Sequence, residues 1–433
     1  MQIIVTIEYI NTRGGDNLIT FILSGIKIIC LLGFLIFIHE LGHFTVAKLC
    51  KVKVNEFAIG FGPTIWKKQG KETKYTLRLF PLGGFVNMEG EEERSEENGS
   101  FSKASIPKRM AIVVAGATVN IIFGLLVYFI LSVTTGTYVS NEIDTVLEGY
   151  AAQDVGIQNG DKIIEINNKK VNSKNDLDKI LEKTKGEEIK LTIERNNEIL
   201  EFNTKPTEVK SQVTGMYLDE KCKIVAVEKD SSSAKQGIEA NDKLVKVNSK
   251  EINGDTNKAL ELINENDSDN ILITVERNGK QIDINLVPDL VSHYYIGVNL
   301  KEAPDTLINR LINAGMLTKE FMFSIVDNLR QLFTGNVGVD QMMGPVGISE
   351  AVAKTDGLKE FVSMLALISL SLGVTNLLPI PALDGGKLLI LIIEAIRRKP
   401  LKEEIEINIQ LLGFSLLIAL SIYVTYNDIL RIF

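Results

Sequence analysis

Three residues within five positions carry most of this chain's chemical potential: the ends and second place of His39-Glu40-Leu41-Gly42-His43. On an α-helix, positions i and i+4 lie about 40° apart around the axis, so both imidazoles can bind one metal ion. Glu40 projects beside them and can accept a proton from a water activated there, as in metal-dependent hydrolysis. The chain has only three histidines, and two of them sit in this motif. The motif lies within an apolar stretch running from about Leu18 to Leu49. Ionisable side chains inside a membrane crossing are costly and mark function by default. A histidine pair that merely stabilises a helix bundle does not account for three such residues in five.

A catalytic zinc takes three protein ligands and keeps one position open. The third histidine, His293, follows a polar region away from the apolar stretches and is not expected to reach. The remaining candidates are carboxylates in apolar surroundings: Glu360, Asp384 and Glu394. Glu360 lies at the far edge of its stretch, and Glu394 lies beside a basic cluster where it can snorkel. Asp384 lies in Asn376-Leu377-Leu378-Pro379-Ile380-Pro381-Ala382-Leu383-Asp384-Gly385-Gly386. Two prolines and two glycines break a helix there. Broken backbone at membrane depth is tolerated only where it is buried in protein or lines a wet cavity, and hydrolysis needs water. Asp384 is therefore the expected third ligand. The alternative is a turn in which Asp384 only caps the next helix.

The elements that must position these residues are membrane spans. Four stretches reach the roughly 20 apolar residues that a crossing needs: 18–49, 111–133, a third segment over 358–396, and 407–425. The first is not expected to be a cleaved signal peptide, because a polar rather than basic segment precedes it and no small-residue cleavage site follows. Lys48, Lys51, Lys53, Lys103, Lys108 and Arg109 flank residues 50–110, and Arg397, Arg398, Lys399 and Lys402 fill the last connection. Basic loops stay inside, so 50–110 and 397–406 are expected on the cytoplasmic side, with 139–357 outside. The net charge of −8 argues against a nucleic-acid partner, and three unpaired-looking cysteines indicate neither a disulfide framework nor a cysteine metal site.

The outer block repeats. Gly160-Asp161-Lys162-Ile163-Ile164-Glu165-Ile166-Asn167 matches Asn241-Asp242-Lys243-Leu244-Val245-Lys246-Val247-Asn248, and Leu191–Asn196 matches Ile273–Asn278. Alternation within these pieces reads as short strands, with helical spacing at Leu177, Ile180 and Leu181 between them. Residues 305–333 carry an apolar face interrupted by Arg310, Lys319, Glu320, Asp327 and Arg330, which reads as an amphipathic helix on a membrane surface or packed on the repeat pair.

Each copy resembles a PDZ domain: Ala152-Gln153-Asp154-Val155-Gly156-Ile157 precedes the Gly-Asp pair in the first, and Ala234-Lys235-Gln236-Gly237-Ile238, shifted by one residue, precedes the Asn-Asp pair in the second, where Asn241 replaces the usual glycine. His39–His43 in the first span, N-x-x-P-x-P-x-L-D-G at Asn376–Gly385 and the inserted PDZ copies together resemble the site-two protease family, and the tandem pair resembles its bacterial branch. The resemblance covers nearly the whole chain from about Asn17. It implies Zn2+ held by His39, His43 and Asp384, with Glu40 as general base and Asn376, Pro379 and Pro381 lining the substrate cleft. It implies cleavage of single-span membrane proteins already trimmed outside, such as anti-sigma factors, or of remnant signal peptides, in the lipid bilayer of a bacterial inner membrane. Gly60-Phe61-Gly62-Pro63 and Tyr75–Glu89 resemble the family's membrane-dipping β-hairpin, whose edge pairs with unwound substrate. Departures are Ala117 where proline is usual and Lys387 where His or Arg is frequent.

The expected fold is a polytopic α-helical membrane protein of about four transmembrane helices, with a cytoplasmic-side membrane-associated β-hairpin and two inserted extracytoplasmic PDZ (α+β) domains. Its expected parts are an N-terminal extension (1–17), the first span (18–49), the hairpin loop (50–110), the second span (111–133), PDZ copies at 139–208 and 209–300, an amphipathic surface segment (301–357), and the third and fourth spans (358–396 and 407–425). The PDZ grooves could take peptide ends or serve only as a steric filter. A non-catalytic membrane scaffold that gathers partners through its PDZ pair is the competing reading of function.

Overall fold

Each long apolar stretch folds as a helix, because backbone in hydrocarbon must satisfy its own hydrogen bonds. The computed structural model describes residues 16–432 apart from 92, 220, 229, 265–269, 335–341, 354 and 356. All but the last two residues of the expected N-terminal extension therefore fall outside the described residues. The chain divides into two units, Met1–Thr135 with Leu311–Phe433, and Gly136–Arg310. The first unit opens with helix α1 (Asp16–Leu49), strands β1 (Val54–Gln69) and β2 (Lys74–Met88), and helix α2 (Ile106–Val133). Pro107 at the start of α2 suits a first turn whose N–H groups have no helical partner.

The hairpin is curled rather than flat. Residues 56–59 of β1 pair with 74–77 on one side and with 84–87 on the other, while 64–69 pair with 74–78. Gly60 and Gly62, both at φ +86°, supply the bend that side chains resist. Gly84–Met88 is thus an edge of this small sheet. An apolar cluster of Ala47, Val54, Phe57, Val86 and Ile112 fastens the sheet to α1 and α2. Inside the curl, Glu56 accepts hydrogen bonds from Arg78 (2.9 Å), Thr76 (2.7 Å) and Lys74 (3.1 Å). Burial pushes its carboxyl up, but these three donors outweigh that and hold it at about 2.

The second unit contains the repeats. The first copy comprises β3 (Val139–Val146), α3 (Ala151–Asp154), β4 (Lys162–Ile166), β5 (Lys169–Lys170), α4 (Lys174–Thr184), β6 (Ile189–Arg195) and β7 (Glu198–Thr204). After β8 (Thr207–Val213), the second copy runs through β9 (Met216–Leu218), β10 (Ile224–Val227), α5 (Ser232–Lys235), β11 (Lys243–Val247), β12 (Lys250–Glu251), α6 (Thr256–Asn264), β13 (Ile271–Arg277) and β14 (Lys280–Leu286). It is followed by β15 (Asp289–Tyr295) and β16 (Val298–Glu302). Equivalent positions fill the two cores: Ile163, Ile166, Leu191 and Ile193 in one, Leu244, Val247, Ile273 and Val275 in the other. Each core is pinned by a bidentate ion pair: Arg195 on Asp161 (2.7 Å from both Nε and Nη2) and Arg277 on Asp242 (2.6 and 2.7 Å). Asn241 sits at φ +77° where Gly160 sits at +89°. Asparagine tolerates that left-handed backbone, so this departure from the repeat is structurally conservative.

The copies are not the two consecutive blocks 139–208 and 209–300 expected from sequence. β16 pairs with β3, and Ile296 enters the first core. β15 pairs with β8 in a ribbon that brackets the second copy. The second copy is thus inserted within the first, whose edge strand arrives about 150 residues late in the chain. Repeat matching in chain order is blind to that return, because the counterpart of β16 is β9, which pairs with β10 but comes first in the second copy instead of last.

Beyond the repeats come α7 (Leu307–Thr334), α8 (Pro345–Ala353), α9 (Leu358–Asn376), α10 (Asp384–Arg397) and α11 (Glu403–Ile432). The segment expected as one amphipathic stretch therefore holds two helices, and Phe321 of α7 stacks on Tyr128 of α2 with centroids 4.1 Å apart. The third span is broken: α9 ends at Asn376 and α10 restarts at Asp384. Among the described residues, four helices are long and apolar enough to cross a membrane, at Gly25–Leu49, Ile106–Val133, Leu358–Asn376 and Glu403–Leu430. Leu31 and Leu35 of α1 join Val352 and Ile368 in the core of this bundle.

The Asp161–Arg195 pair gives a pH test. Burial pushes the Asp161 carboxyl up, but bonds from Arg195 and from the Gln158 N–H outweigh it, leaving it below the usual carboxylate range. A depressed carboxylate contributes stability that is present above its unfolded pKa of about 3.9 and is lost as pH falls through the lower folded value. Hydrogen-exchange protection factors of β4 and β6 should hold steady from pH 7 to about 4 and fall below that. Asp161→Asn should lower them at pH 7 and flatten the acid limb; a variant with wild-type protection at pH 7 would refute the role.

Candidate active site

Helix α1 turns His39 and His43 to one side, as their spacing requires, and α10 brings its first residue, Asp384, against them. His39 Nε2 lies 3.1 Å from His43 Nε2. Asp384 Oδ2 lies 3.3 Å from His39 Nε2 and 3.5 Å from His43 Nε2. Tetrahedral ligands at about 2.0–2.1 Å from a shared zinc are separated by about 3.3–3.4 Å, so the three atoms fit one such ion. Among the described residues, this is the one group of three or more His, Cys, Asp or Glu side chains able to hold a metal.

The neighbours set the tautomers. His43 Nδ1 lies 2.8 Å from the Ile112 carbonyl of α2 and donates to it, which leaves the Nε2 lone pair facing the cluster. His39 Nδ1 lies 3.4 Å from the side-chain amide of buried Asn120, whose Oδ1 has no partner. With that amide turned over, Oδ1 accepts from His39 Nδ1–H and frees Nε2 in the same way. The sequence signal for Asn120 is that it is the one side-chain amide in a span without charges, 111–133.

Space is as restricted as chemistry. A Cβ on Gly116 would lie 2.3 Å from His43 Nε2, and one on Gly42 would lie 2.7 Å from the Ala115 carbonyl. Glycine at both places lets α1 and α2 approach closely enough for the imidazoles to pack on the α2 backbone. Asp384 is fixed differently. As the first residue of α10 it sits where the helix dipole favours an anion.

Glu40 faces a cleft of ≈ 250 Å³ that also exposes the three cluster residues. Phe85 and Val86 of the β2 edge form one wall, and Glu91 and Lys387 form another. Lys387 Nζ lies 2.9 Å from Glu91 Oε1, tying the segment after the hairpin to the helix that carries Asp384. The lysine that departs from the usual residue thus has a specific partner, and a single sequence could not identify it.

The other sequence candidates lie elsewhere. Glu394 is 3% exposed, forms an ion pair with Arg109 at 3.1 Å and accepts a hydrogen bond from the Leu401 N–H at 2.9 Å, so it serves as a buried tie between α10 and α2. Glu360 is exposed in the first turn of α9. His293 lies in β15, beside Tyr295. Asn376 is the last residue of α9, Pro379 and Pro381 lie in the turn leading into Asp384, and none of the three is among the residues lining the cleft.

Two imidazoles, one carboxylate and a neighbouring glutamate on apolar helices make up the chemistry of a membrane-embedded metallopeptidase. The chain belongs to peptidase family M50, the site-2 proteases, which it matches over residues 27–420. It is 27% identical to the Escherichia coli (strain K12) regulator of sigma-E protease RseP, over 96% of this chain and 100% of the relative. It is 28% identical to the Haemophilus influenzae regulator of sigma E protease, over 92% and 96% of the two chains. A Helicobacter pylori (strain J99) protein, named provisionally as a zinc metalloprotease, is 31% identical over 93% and 98%. The protein is thus a zinc metalloprotease and a polytopic protein of a bacterial inner membrane, acting on membrane-protein substrates.

If the geometry at Gly116 sets the metal centre, Gly116→Ala should cost bound zinc while helical content is unchanged. Asn120→Leu should weaken zinc affinity by about 10-fold or more, as loss of a partner behind a ligand does. Metal analysis of the purified variants checks both, and wild-type zinc in either would contradict the stated packing.

Proposed function

We propose that this protein is an intramembrane zinc endopeptidase of regulated intramembrane proteolysis, with His39, His43 and Asp384 as the zinc ligands and Glu40 as the general base. The observation that carries this reading is the convergence of three ligand atoms, each within 3.5 Å of the others, beside Glu40 in a helical bundle. Zinc held there would supply Lewis acidity, polarising the scissile carbonyl and easing deprotonation of the attacking water. Glu40 takes the proton of that water and passes it to the leaving amine as the C–N bond breaks. The cleft walls restrict how much water reaches this point.

The substrate is a single-span membrane protein. A helix must be unwound before its peptide bonds can be attacked, and an unwound segment needs partners for its backbone. The Gly84–Met88 edge, beside the cleft, offers a strand for that pairing. Asn376, Pro379 and Pro381 would meet the substrate where it leaves this edge. The two repeats are PDZ domains lying outside the membrane, with the active site toward the cytoplasmic side, as the basic loops indicate. They restrict access to substrates trimmed outside: an anti-sigma factor, the class that the sigma-E-regulating relatives favour, or a remnant signal peptide. The scaffold reading has no use for the metal-ligand cluster.

Purified protein in detergent should cut a generic single-span substrate, and Glu40→Gln should lower the rate at least about 10²-fold at equal zinc content, the usual minimum for losing a general base. Equal cleavage by the variant would remove Glu40 from the mechanism. Removing residues 139–302 should allow an untrimmed substrate to be cut. Continued refusal of untrimmed substrate, with trimmed substrate still processed, would eliminate the filter role.

A further inference from the structure

The turn that delivers Asp384 contains a backbone anomaly. Ala382 has φ +74°, a left-handed conformation that a residue with a Cβ adopts only under constraint. Its N–H donates to Gln410 Oε1 of α11 at 2.5 Å. One turn further along the same face, Gly413 lies so close to the turn that a Cβ there would be 2.3 Å from the Pro381 carbonyl oxygen. Helix α11 therefore rests on Pro381 and Ala382 at two successive positions, directly before the proposed metal ligand.

This contact is not a by-product of general packing. Over Glu403–Leu420 of α11, Gly413 is the one buried residue. Gln410 Nε2 is enclosed without a partner, so the side chain is oriented by its single bond to the Ala382 N–H. Downstream, Leu383 opens α10 by accepting from the N–H groups of Gly386 and Lys387. Rotation about the Ala382 φ would swing Leu383, Asp384 and the start of α10 relative to α11 and to the imidazoles.

We infer that Gln410 is a positioning residue of the metal centre: its side-chain carbonyl holds Ala382 in the left-handed turn that aims the Asp384 carboxylate at His39 and His43. The inference rests on the zinc-site reading above, which is checked separately by loss of zinc from Asp384→Asn.

The test is chelator-driven zinc release from the full-length protein in detergent, with circular dichroism to confirm folding. Gln410→Leu, which removes the acceptor, should weaken zinc retention roughly tenfold, the scale seen for partners behind metal ligands. Gln410→Glu keeps an acceptor and should stay within about threefold of wild type. Ala382→Gly in the Gln410→Leu background should restore retention, because glycine adopts positive φ without help. A role confined to seating α11 would give loss without that rescue. Gln410→Met serves in place of Gln410→Leu should the latter not fold. Wild-type retention in the acceptor-less variant, or loss that Ala382→Gly does not repair, would overturn the inference.

Discussion

The close approach of α1 to α2 is the constraint on which the rest of the site depends. Gly42 and Gly116 remove the side chains that would hold the helices apart. Only then can His43 reach the Ile112 carbonyl, His39 reach Asn120, and both Nε2 atoms point to one place. The burial of polar groups in a bundle is costly unless each has a partner. Here α2 supplies the partners, so the same contact sets both distance and tautomer.

Asp384, the proposed third ligand, is brought in by a break rather than by a helix face. The Pro379–Pro381 turn ends α9, and α10 begins with Asp384 at its favourable N-terminus. Three outside contacts hold that arrangement: α11 on the turn, Glu91 on Lys387, and Arg109 on Glu394 at the far end of α10. The hairpin is attached to α1 by its apolar base, and this leaves its Gly84–Met88 edge beside Glu40. An open strand edge and the Glu40 carboxylate thus meet at one cleft.

Much of this was legible in the sequence where the signal is local. The i, i+4 spacing of His39 and His43 holds whatever the tertiary context, and Pro/Gly chemistry at 379–386 forces a break anywhere in a span. Long-range pairings left no such trace. Gly297-Val298-Asn299-Leu300 parallels Gly215-Met216-Tyr217-Leu218, but the two lie at opposite ends of their copies in chain order, so the block 209–300 takes in a strand that completes the sheet begun at Val139. Asn120 and Gln410 are amide side chains in largely apolar spans, and their partners come from other helices far away in the chain. Lys387 was noticed only as a departure, because its partner Glu91 lies almost 300 residues earlier.

The central claim is that zinc joins α1 to α10 through two imidazoles and one carboxylate. X-ray absorption at the zinc edge of the purified protein tests it most directly. The account predicts a first shell of nitrogen and oxygen only, at about 2.0–2.1 Å, with outer-shell scattering from two imidazoles. Asp384→Asn should alter that shell. Sulfur at about 2.3 Å, a single imidazole, or an unchanged spectrum in Asp384→Asn would contradict it.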